Sequence, residues 1–187
     1  MSGRLLRVEA LTAGYVAPVV GPISFCVARG EVVGIWGANG SGKSTLLDAI
    51  ANGTRIFGGR LNKAPGLSIA YQEQQPVRLR EMPMNGREFL RFAQAGREAV
   101  PERLKPWLER RMDRLSGGQF QLFSVWALLA TTADLVLLDE PTNNLDPESE
   151  RILAEILVAE QGRRAALLVS HERAFLERAC SRVLEIG

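Results

Sequence analysis

Short apolar runs alternate with amphipathic stretches along this chain, a pattern typical of strands that alternate with helices. Residues 31–36 (Glu-Val-Val-Gly-Ile-Trp) predict a buried strand that ends at Gly37. Residues 67–71 predict another strand. The continuous apolar runs at 135–138 and 165–169 are of the kind that forms central parallel strands. The predicted fold class is therefore α/β, with a sheet covered on both faces.

Two helices are predicted between these strands. The first runs from Lys43 to Asn52 and is closed by Gly53 as its C-terminal cap. The second runs from Pro147 to about Glu160, with proline in its first turn and acidic residues after it, where the helix dipole favours them.

The middle of the chain has a different texture. Ten basic residues fall within residues 75–114, and prolines interrupt a more helical pattern. We interpret residues 75–130 as a helical insertion whose positive charge forms a solvated face, with contact to a partner's cytoplasmic surface as the alternative. We expect one domain over 1–187, with a core of about 1–74 and 131–187 and this insertion as a helical subdomain.

Composition narrows the class of protein. The 187 residues are 46% hydrophobic and 24% charged, with a net charge of +2, which does not by itself indicate nucleic-acid binding. Cys26 and Cys180 lack metal-ligand spacing and are expected to be small apolar residues of the core. Nothing suggests a disulfide scaffold, so a reducing compartment is expected. The N-terminus lacks a signal peptide's apolar segment, and no apolar run approaches the roughly 20 residues of a membrane helix. We expect a soluble, cytoplasmic protein that reaches a membrane only through a partner.

The segment from residue 37 to residue 44 fits the phosphate-binding pattern G-x-x-x-x-G-K-[ST]. Glycines let the backbone wrap round a phosphate and point its N–H groups inward, and the following helix presents its positive dipole end. Lys43 can reach the β- and γ-phosphates, and the Ser44 hydroxyl can ligate Mg²⁺. The segment therefore predicts nucleotide binding.

Two acids follow the apolar run at 135–138. Asp139 and Glu140 would lie at the carboxyl end of a buried strand, which is the edge where parallel sheets bind ligands. Asp139 is suited to hold Mg²⁺ through its water shell, and Glu140 to orient and deprotonate an attacking water.

Residues 115–119 (Leu-Ser-Gly-Gly-Gln) form a second anion-binding helix start, with Ser116 as its N-cap. A second such start is redundant in one chain unless it serves another molecule's phosphate. With this pentapeptide the sequence resembles the ABC ATPase family over essentially its whole length. The resemblance implies a P-loop NTPase core with a mainly parallel sheet, an N-terminal antiparallel β portion and a helical insertion, with ATP and Mg²⁺ as cofactors.

The resemblance also implies roles for individual matching residues. The first group would contact the ATP that the chain itself binds. Tyr15 matches an aromatic residue that stacks on adenine. Gln74 matches a glutamine that touches the metal and the lytic water. The phosphate-loop matches are Gly37, Asn39, Gly40, Ser41, Gly42, Lys43, Ser44 and Thr45.

For hydrolysis, the resemblance makes Asp139 the metal-holding acid, Glu140 the catalytic acid and His171, the only histidine, the switch residue that contacts the γ-phosphate. A further set matches residues that contact the ATP of the opposite subunit or cross the dimer interface: Ser116, Gly117, Gly118, Gln119 and Asp146. The helix after the pentapeptide departs from the family, because residues 120–127 lack the usual arginines, which leaves the turnover rate open.

The implied partners are a second ATPase subunit, with a homodimer expected, and an integral-membrane permease; no direct nucleic-acid contact is expected. Residues 69–92 are similar to zinc and manganese importer subunits. Residues 142–146 and 170–176 are instead similar to ribosome-associated ABC translation factors, which remain the alternative. A non-hydrolysing nucleotide sensor is a third class, against which Glu140 argues.

Overall fold

Eight strands and five helices make up residues 3–73, 82–96 and 99–187, the part of the chain that this computed structural model describes. The strands are β1 (Arg4–Gly14), β2 (Pro18–Ala28), β3 (Val32–Trp36), β4 (Arg55–Lys63), β5 (Ile69–Gln72), β6 (Leu135–Asp139), β7 (Ala165–Ser170) and β8 (Arg182–Glu185). The helices are α1 (Lys43–Ala51), α2 (Gly86–Phe92), α3 (Gly117–Leu129), α4 (Pro147–Glu160) and α5 (Arg173–Ala179), with 3₁₀ turns at Lys105–Trp107 and Met112–Arg114.

The strands form a parallel sheet and an antiparallel sheet. The parallel sheet has five strands in the order β5-β6-β7-β3-β8, and the antiparallel sheet has three in the order β2-β1-β4. This architecture confirms the predicted fold class. Because the strands of the larger sheet run the same way, the ends of β3, β6 and β7 lie at one edge, where the segments after Trp36, Asp139 and Ser170 meet.

Each face of the parallel sheet carries its own hydrophobic core. On one face α1 and the antiparallel sheet pack against alternate strand residues such as Leu135 and Leu137. On the other face α3, α4 and α5 pack against the intervening residues, such as Val136 and Leu138. The sheet therefore separates α1, which follows the phosphate loop, from α3, which follows the Leu-Ser-Gly-Gly-Gln pentapeptide.

Helix α1 ends differently from the prediction. It stops at Ala51, and the left-handed capping residue is Asn52 (φ 69°), not Gly53. The Asn52 N–H donates to Ala49 O and the Gly53 N–H donates to Asp48 O, which is the hydrogen-bond pair of a Schellman cap. Asparagine tolerates the left-handed region through its short polar side chain, so it can replace glycine here.

The predicted insertion is only partly helical. Within the described part of residues 75–130, α2 is short, and the segment between it and α3 is irregular apart from two 3₁₀ turns. Prolines at positions 101 and 106 fit this, because proline lacks the N–H that a continuous helix needs. The boundaries predicted for a helical subdomain stay a prediction.

The observed boundaries of the strands differ from the predicted ones by one or two residues. Strand β5 begins at Ile69 rather than residue 67, while β6 and β7 each continue one residue further, to Asp139 and Ser170. Helix α4 spans Pro147–Glu160 as predicted. None of the helices in the described ranges is long and apolar enough to serve as a membrane span.

Candidate functional site

The phosphate loop joins β3 to α1 and has a conformation that requires glycine. Gly40 and Gly42 both have left-handed backbones, with φ of 83° and 88°. A Cβ on Gly42 would lie 2.7 Å from Cβ of Val20, closer than two carbons can approach. The loop is therefore held in a concave shape that leaves the start of α1 facing the loop's interior.

Lys43 lies across this loop and is 6% exposed. Its ammonium group donates to the carbonyl oxygens of Gly37 (2.8 Å) and Ala38 (3.0 Å) and lies 3.3 Å from Oε1 of Glu140. The lysine thus binds the loop's own carbonyls and one carboxylate, oxygen acceptors that phosphate oxygens can replace.

Glu140 connects Lys43 to His171. Its backbone is left-handed (φ 46°) and its side chain is buried. Its Oε2 atom lies 2.9 Å from Nδ1 of His171 and accepts a 3.3 Å hydrogen bond from the His171 backbone N–H. The unusual φ directs this carboxylate to the end of β7. The carboxylate predicted to activate water and the predicted switch histidine are therefore in direct contact.

Asp139, the last residue of β6, is buried in a polar environment. Burial raises the pKa of its carboxyl group, a hydrogen bond from Ser44 opposes the rise, and the negative charge of Glu140 adds to it. Its Oδ1 atom is buried and accepts no hydrogen bond from the part of the chain that the structure describes. An acceptor of this kind beside the Ser44 hydroxyl fits a hard cation that keeps most of its ligands as water and phosphate oxygens.

The described residues contain no cluster of three or more His, Cys, Asp or Glu side chains able to hold a metal. Ser44 and Asp139 offer two oxygen ligands, and a Mg²⁺ held by them would take its other ligands from water and nucleotide phosphates.

The pentapeptide of residues 115–119 is partly exposed: Ser116 and Gly117 are exposed, whereas Leu115 and Gly118 are buried. Ser116 and Gln119 form a capping box at the start of α3: the Gln119 N–H donates to Ser116 Oγ and the Ser116 N–H donates to Gln119 Oε1, both at 3.1 Å. A Cβ on Gly117 would meet only open space. The first turn of α3 is thus open to solvent at Ser116 and Gly117.

The segment before α4 packs against this helix start. A Cβ on Gly118 would lie 3.4 Å from the carbonyl oxygen of Asn144. Asp146 is the N-cap of α4, and its carboxylate accepts a 2.7 Å hydrogen bond from the Ser149 N–H. Asp146 therefore has a structural role that explains its position, and its predicted contact with a second subunit stays a prediction.

A chain of buried amides, which the sequence did not indicate, links three of these segments. Nε2 of Gln72, at the end of β5, donates to Oε1 of Gln121 (3.3 Å), and Nε2 of Gln121 donates to the Pro141 carbonyl (3.4 Å). Helix α3 is thereby tied to the residue after Glu140. The apolar residues around Gln121 in α3 are buried.

Tyr15 and Gln74 are the two remaining predicted sites. Tyr15 lies in the turn after β1, 57% exposed, and its hydroxyl donates to Oδ2 of Asp48 in α1. Nothing in the sequence marked Asp48, because its partners are distant along the chain. Gln74, assigned to the metal and the lytic water, lies outside the described residues.

A family profile described as ABC transporter matches residues 20–143, about two thirds of the chain. The chain belongs to the ABC transporter family. It is an ATP-binding ATPase domain of that family. The match spans the phosphate loop, the pentapeptide and both acids after β6.

Relatives and solved structures agree with this assignment. The zinc import ATP-binding protein ZnuC of Paracoccus denitrificans is 38% identical over 175 residues, which cover 89% of this chain and 69% of the relative. The energy-dependent translational throttle protein of Haemophilus influenzae is 29% identical over 202 residues, covering all of this chain and 35% of that protein. A structure described as the ATP binding subunit of an ABC transporter has a TM-score of 0.77 at 28% identity and covers 98% of this chain and 86% of that one.

Proposed function

We propose that two copies of this ABC ATPase close on ATP and that their closure and reopening drive a separate integral-membrane permease, at the inner face of the cell membrane. The exposed start of α3 carries this proposal. A glycine-rich helix start is of the kind that binds anions, and the parallel sheet separates α3 from the chain's own α1. The phosphate that it fits is therefore that of another subunit's nucleotide.

Within one subunit, the phosphate loop and Lys43 hold the β- and γ-phosphates, while Tyr15 stacks on adenine. Lys43 exchanges its contacts with the Gly37 and Ala38 carbonyls for phosphate oxygens. When bound, Mg²⁺ neutralises developing negative charge on the phosphates. The Ser44 hydroxyl and Gln74 would contact the ion, and Asp139 would hold it through its water shell.

Glu140 then orients and deprotonates the attacking water, and His171 contacts the γ-phosphate while its ring stays beside the Glu140 carboxylate. Residues of the partner complete the pocket: Ser116, Gly117, Gly118, Gln119 and Asp146. After the γ-phosphoryl group is cleaved, the two subunits lose the charge that held them and separate, a ligand-biased two-state switch.

We propose zinc as the cargo, because the ZnuC relatives are named as zinc import proteins and match most of this chain. The ribosome-associated alternative is supported by the 29% identity to the translational throttle protein. That protein is about three times longer than the matched region. The zinc import relatives are more similar in sequence (38% and 34% identity) and are matched over a larger share of their own length (69% and 74%, against 35%), which favours the transporter.

Replacing the catalytic base tests the cycle. We expect Glu140→Gln to retain ATP binding, to lose ATP turnover by about a hundredfold or more, and to accumulate as a dimer in ATP on size-exclusion chromatography. The matched control is Glu177→Gln, an exposed carboxylate paired with Arg173, which should behave as wild type. Unchanged steady-state ATPase activity in Glu140→Gln would exclude the assigned role.

The same trapped variant identifies the partner. Tagged Glu140→Gln, isolated in ATP from its native membrane, should retain an integral-membrane permease, and cells lacking the chain should take up less zinc. Co-sedimentation with ribosomes and no permease would instead favour the translation-factor alternative.

A further inference from the structure

Both tyrosines of the sequence donate hydrogen bonds to one carboxylate. Asp48 lies in α1, one turn after Ser44, and is half-buried. Its Oδ2 accepts from the hydroxyl of Tyr15, and its Oδ1 accepts from the hydroxyl of Tyr71 at 3.0 Å. The helix that begins at the phosphate loop is thus joined by one side chain to the turn after β1 and to β5.

Tyr15 is unusual because its hydroxyl is engaged although its side chain is more than half exposed. An exposed aromatic side chain ordinarily samples several rotamers, and fixing it on a ligand costs free energy. The hydrogen bond to Asp48 fixes the ring before any ligand arrives. The backbone beneath it is fixed too, because the Thr54 hydroxyl donates to the Gly14 carbonyl.

The carboxylate is itself held from the other side. Tyr71 is in the middle of β5, and its neighbour Gln72 is the first member of the buried amide chain to α3. The hydrogen bond to Asp48 raises the pKa of Tyr15, and burial followed by the charge of Asp48 raises the pKa of Tyr71. Both hydroxyls therefore remain protonated donors at neutral and mildly alkaline pH.

We propose that Asp48 is a positioning residue of the adenine site: its carboxylate, braced by Tyr71, holds the Tyr15 ring in the orientation that receives the base of ATP. This rests on the proposed stacking role of Tyr15. Asp48 acts through Tyr15 and does not touch the nucleotide. Its contribution is to lower the ordering cost of ATP binding, so its loss should raise KM and leave kcat nearly unchanged.

The experiment measures KM for ATP and kcat in variants of the full chain. Tyr15→Leu removes the ring and should raise KM about tenfold or more. Tyr15→Phe keeps the ring and removes only the hydroxyl, and Asp48→Ala removes its acceptor. Each of these two should raise KM about threefold to tenfold, with kcat within about twofold of wild type. The Tyr15→Phe/Asp48→Ala double variant should be no worse than the weaker-binding single variant, because both remove the same hydrogen bond.

Asp134→Asn is the matched control, because Asp134 also accepts hydrogen bonds from several groups but lies before β6, at the opposite end of that strand from Asp139. It should leave KM unchanged. Tyr15→Phe alters an exposed position, so it decides the matter if Asp48→Ala fails to fold.

The outcomes separate the two proposals. If Tyr15→Leu raises KM while Tyr15→Phe does not, or if the effects in the double variant add, Asp48 does not position Tyr15 although the ring still stacks. If Tyr15→Leu leaves KM at the wild-type value, the stacking role is wrong and the role of Asp48 is wrong with it.

Discussion

The chain has two glycine-rich helix starts, and they differ in how complete they are. The start of α1 is enclosed: its loop is left-handed at Gly40 and Gly42, and Lys43 is buried against carbonyls and Glu140. The start of α3 is open: Ser116 and Gly117 are exposed, and the capping residues bind each other. The first site can hold a phosphate alone, whereas the second contributes one wall of a pocket.

Under the proposed function, this difference divides one reaction between two molecules. One subunit would bind the nucleotide and activate the water, and the start of α3 in the other would supply donors for the remaining face of the phosphate. Binding would then occur in a monomer, while turnover would require two. Three experiments test this separation and the charges at the enclosed start.

The largest effect is expected at the open start. Ser116→Arg puts a long side chain where the partner's γ-phosphate should lie, and loss of such preorganised donors lowers turnover by about a hundredfold or more. ATP affinity of the monomer should stay the same, because the phosphate loop is untouched. ATPase assays and equilibrium binding at high dilution measure the two quantities. Full activity in Ser116→Arg would show that the start of α3 does not contribute to the pocket.

A matched pair of glycine substitutions should separate the two starts further. Gly42→Ala forces a left-handed backbone on a residue with a Cβ and brings that Cβ against Val20, so monomer affinity for ATP should fall about tenfold or more. Gly117→Ala enters open space and should leave that affinity unchanged. Equal losses of binding in both variants would show that the two starts serve the same nucleotide.

The smallest effect concerns stability. Because burial raises the pKa of Asp139, its ionised form disfavours the folded state at every pH above that raised pKa. Asp139→Asn should therefore abolish turnover yet raise Tm at neutral pH by about 2–4 °C, the shift that ~1 kcal/mol produces in a protein of this size. The gain should shrink as the pH falls and the wild-type carboxyl becomes protonated.

Asp134→Asn should change Tm in the opposite direction. Hydrogen bonds from Ser68 lower the pKa of Asp134, so its ionised form stabilises the fold above its unfolded pKa. Its loss should lower Tm at neutral pH. A Tm for Asp139→Asn at or below wild type would mean that the buried charge is fully compensated.

The sequence predicted what depends on local pattern. Apolar runs gave β3, β6 and β7, and proline followed by acids gave α4, because strand burial and helix starts leave signals in adjacent residues. Contacts between residues far apart in the sequence left no such local signal. Asp48 and Gln121 form hydrogen bonds with residues 20 or more positions away. Only the three-dimensional structure therefore reveals their roles.

Boundaries that depend on tertiary context were also missed. Asn52 replaces glycine in a left-handed cap, and the described part of the segment between α2 and α3 is irregular apart from two 3₁₀ turns, despite its helical pattern. The contact between Glu140 and His171 was not predicted, since it depends on the left-handed backbone of Glu140. Gln74 lies outside the residues that the structure describes.

The charges around Asp139 have a consequence for the form in which the nucleotide arrives. Lys43 is the cation that acts most strongly on this carboxyl, and Glu140 and Asp48 are the anions that do so. These carboxylates repel a nucleotide polyanion, whereas Lys43, the N–H groups of the phosphate loop and the start of α1 attract it. A divalent counter-ion bound to ATP would reduce the repulsion, so we expect the complexed nucleotide to bind more tightly than the free polyanion.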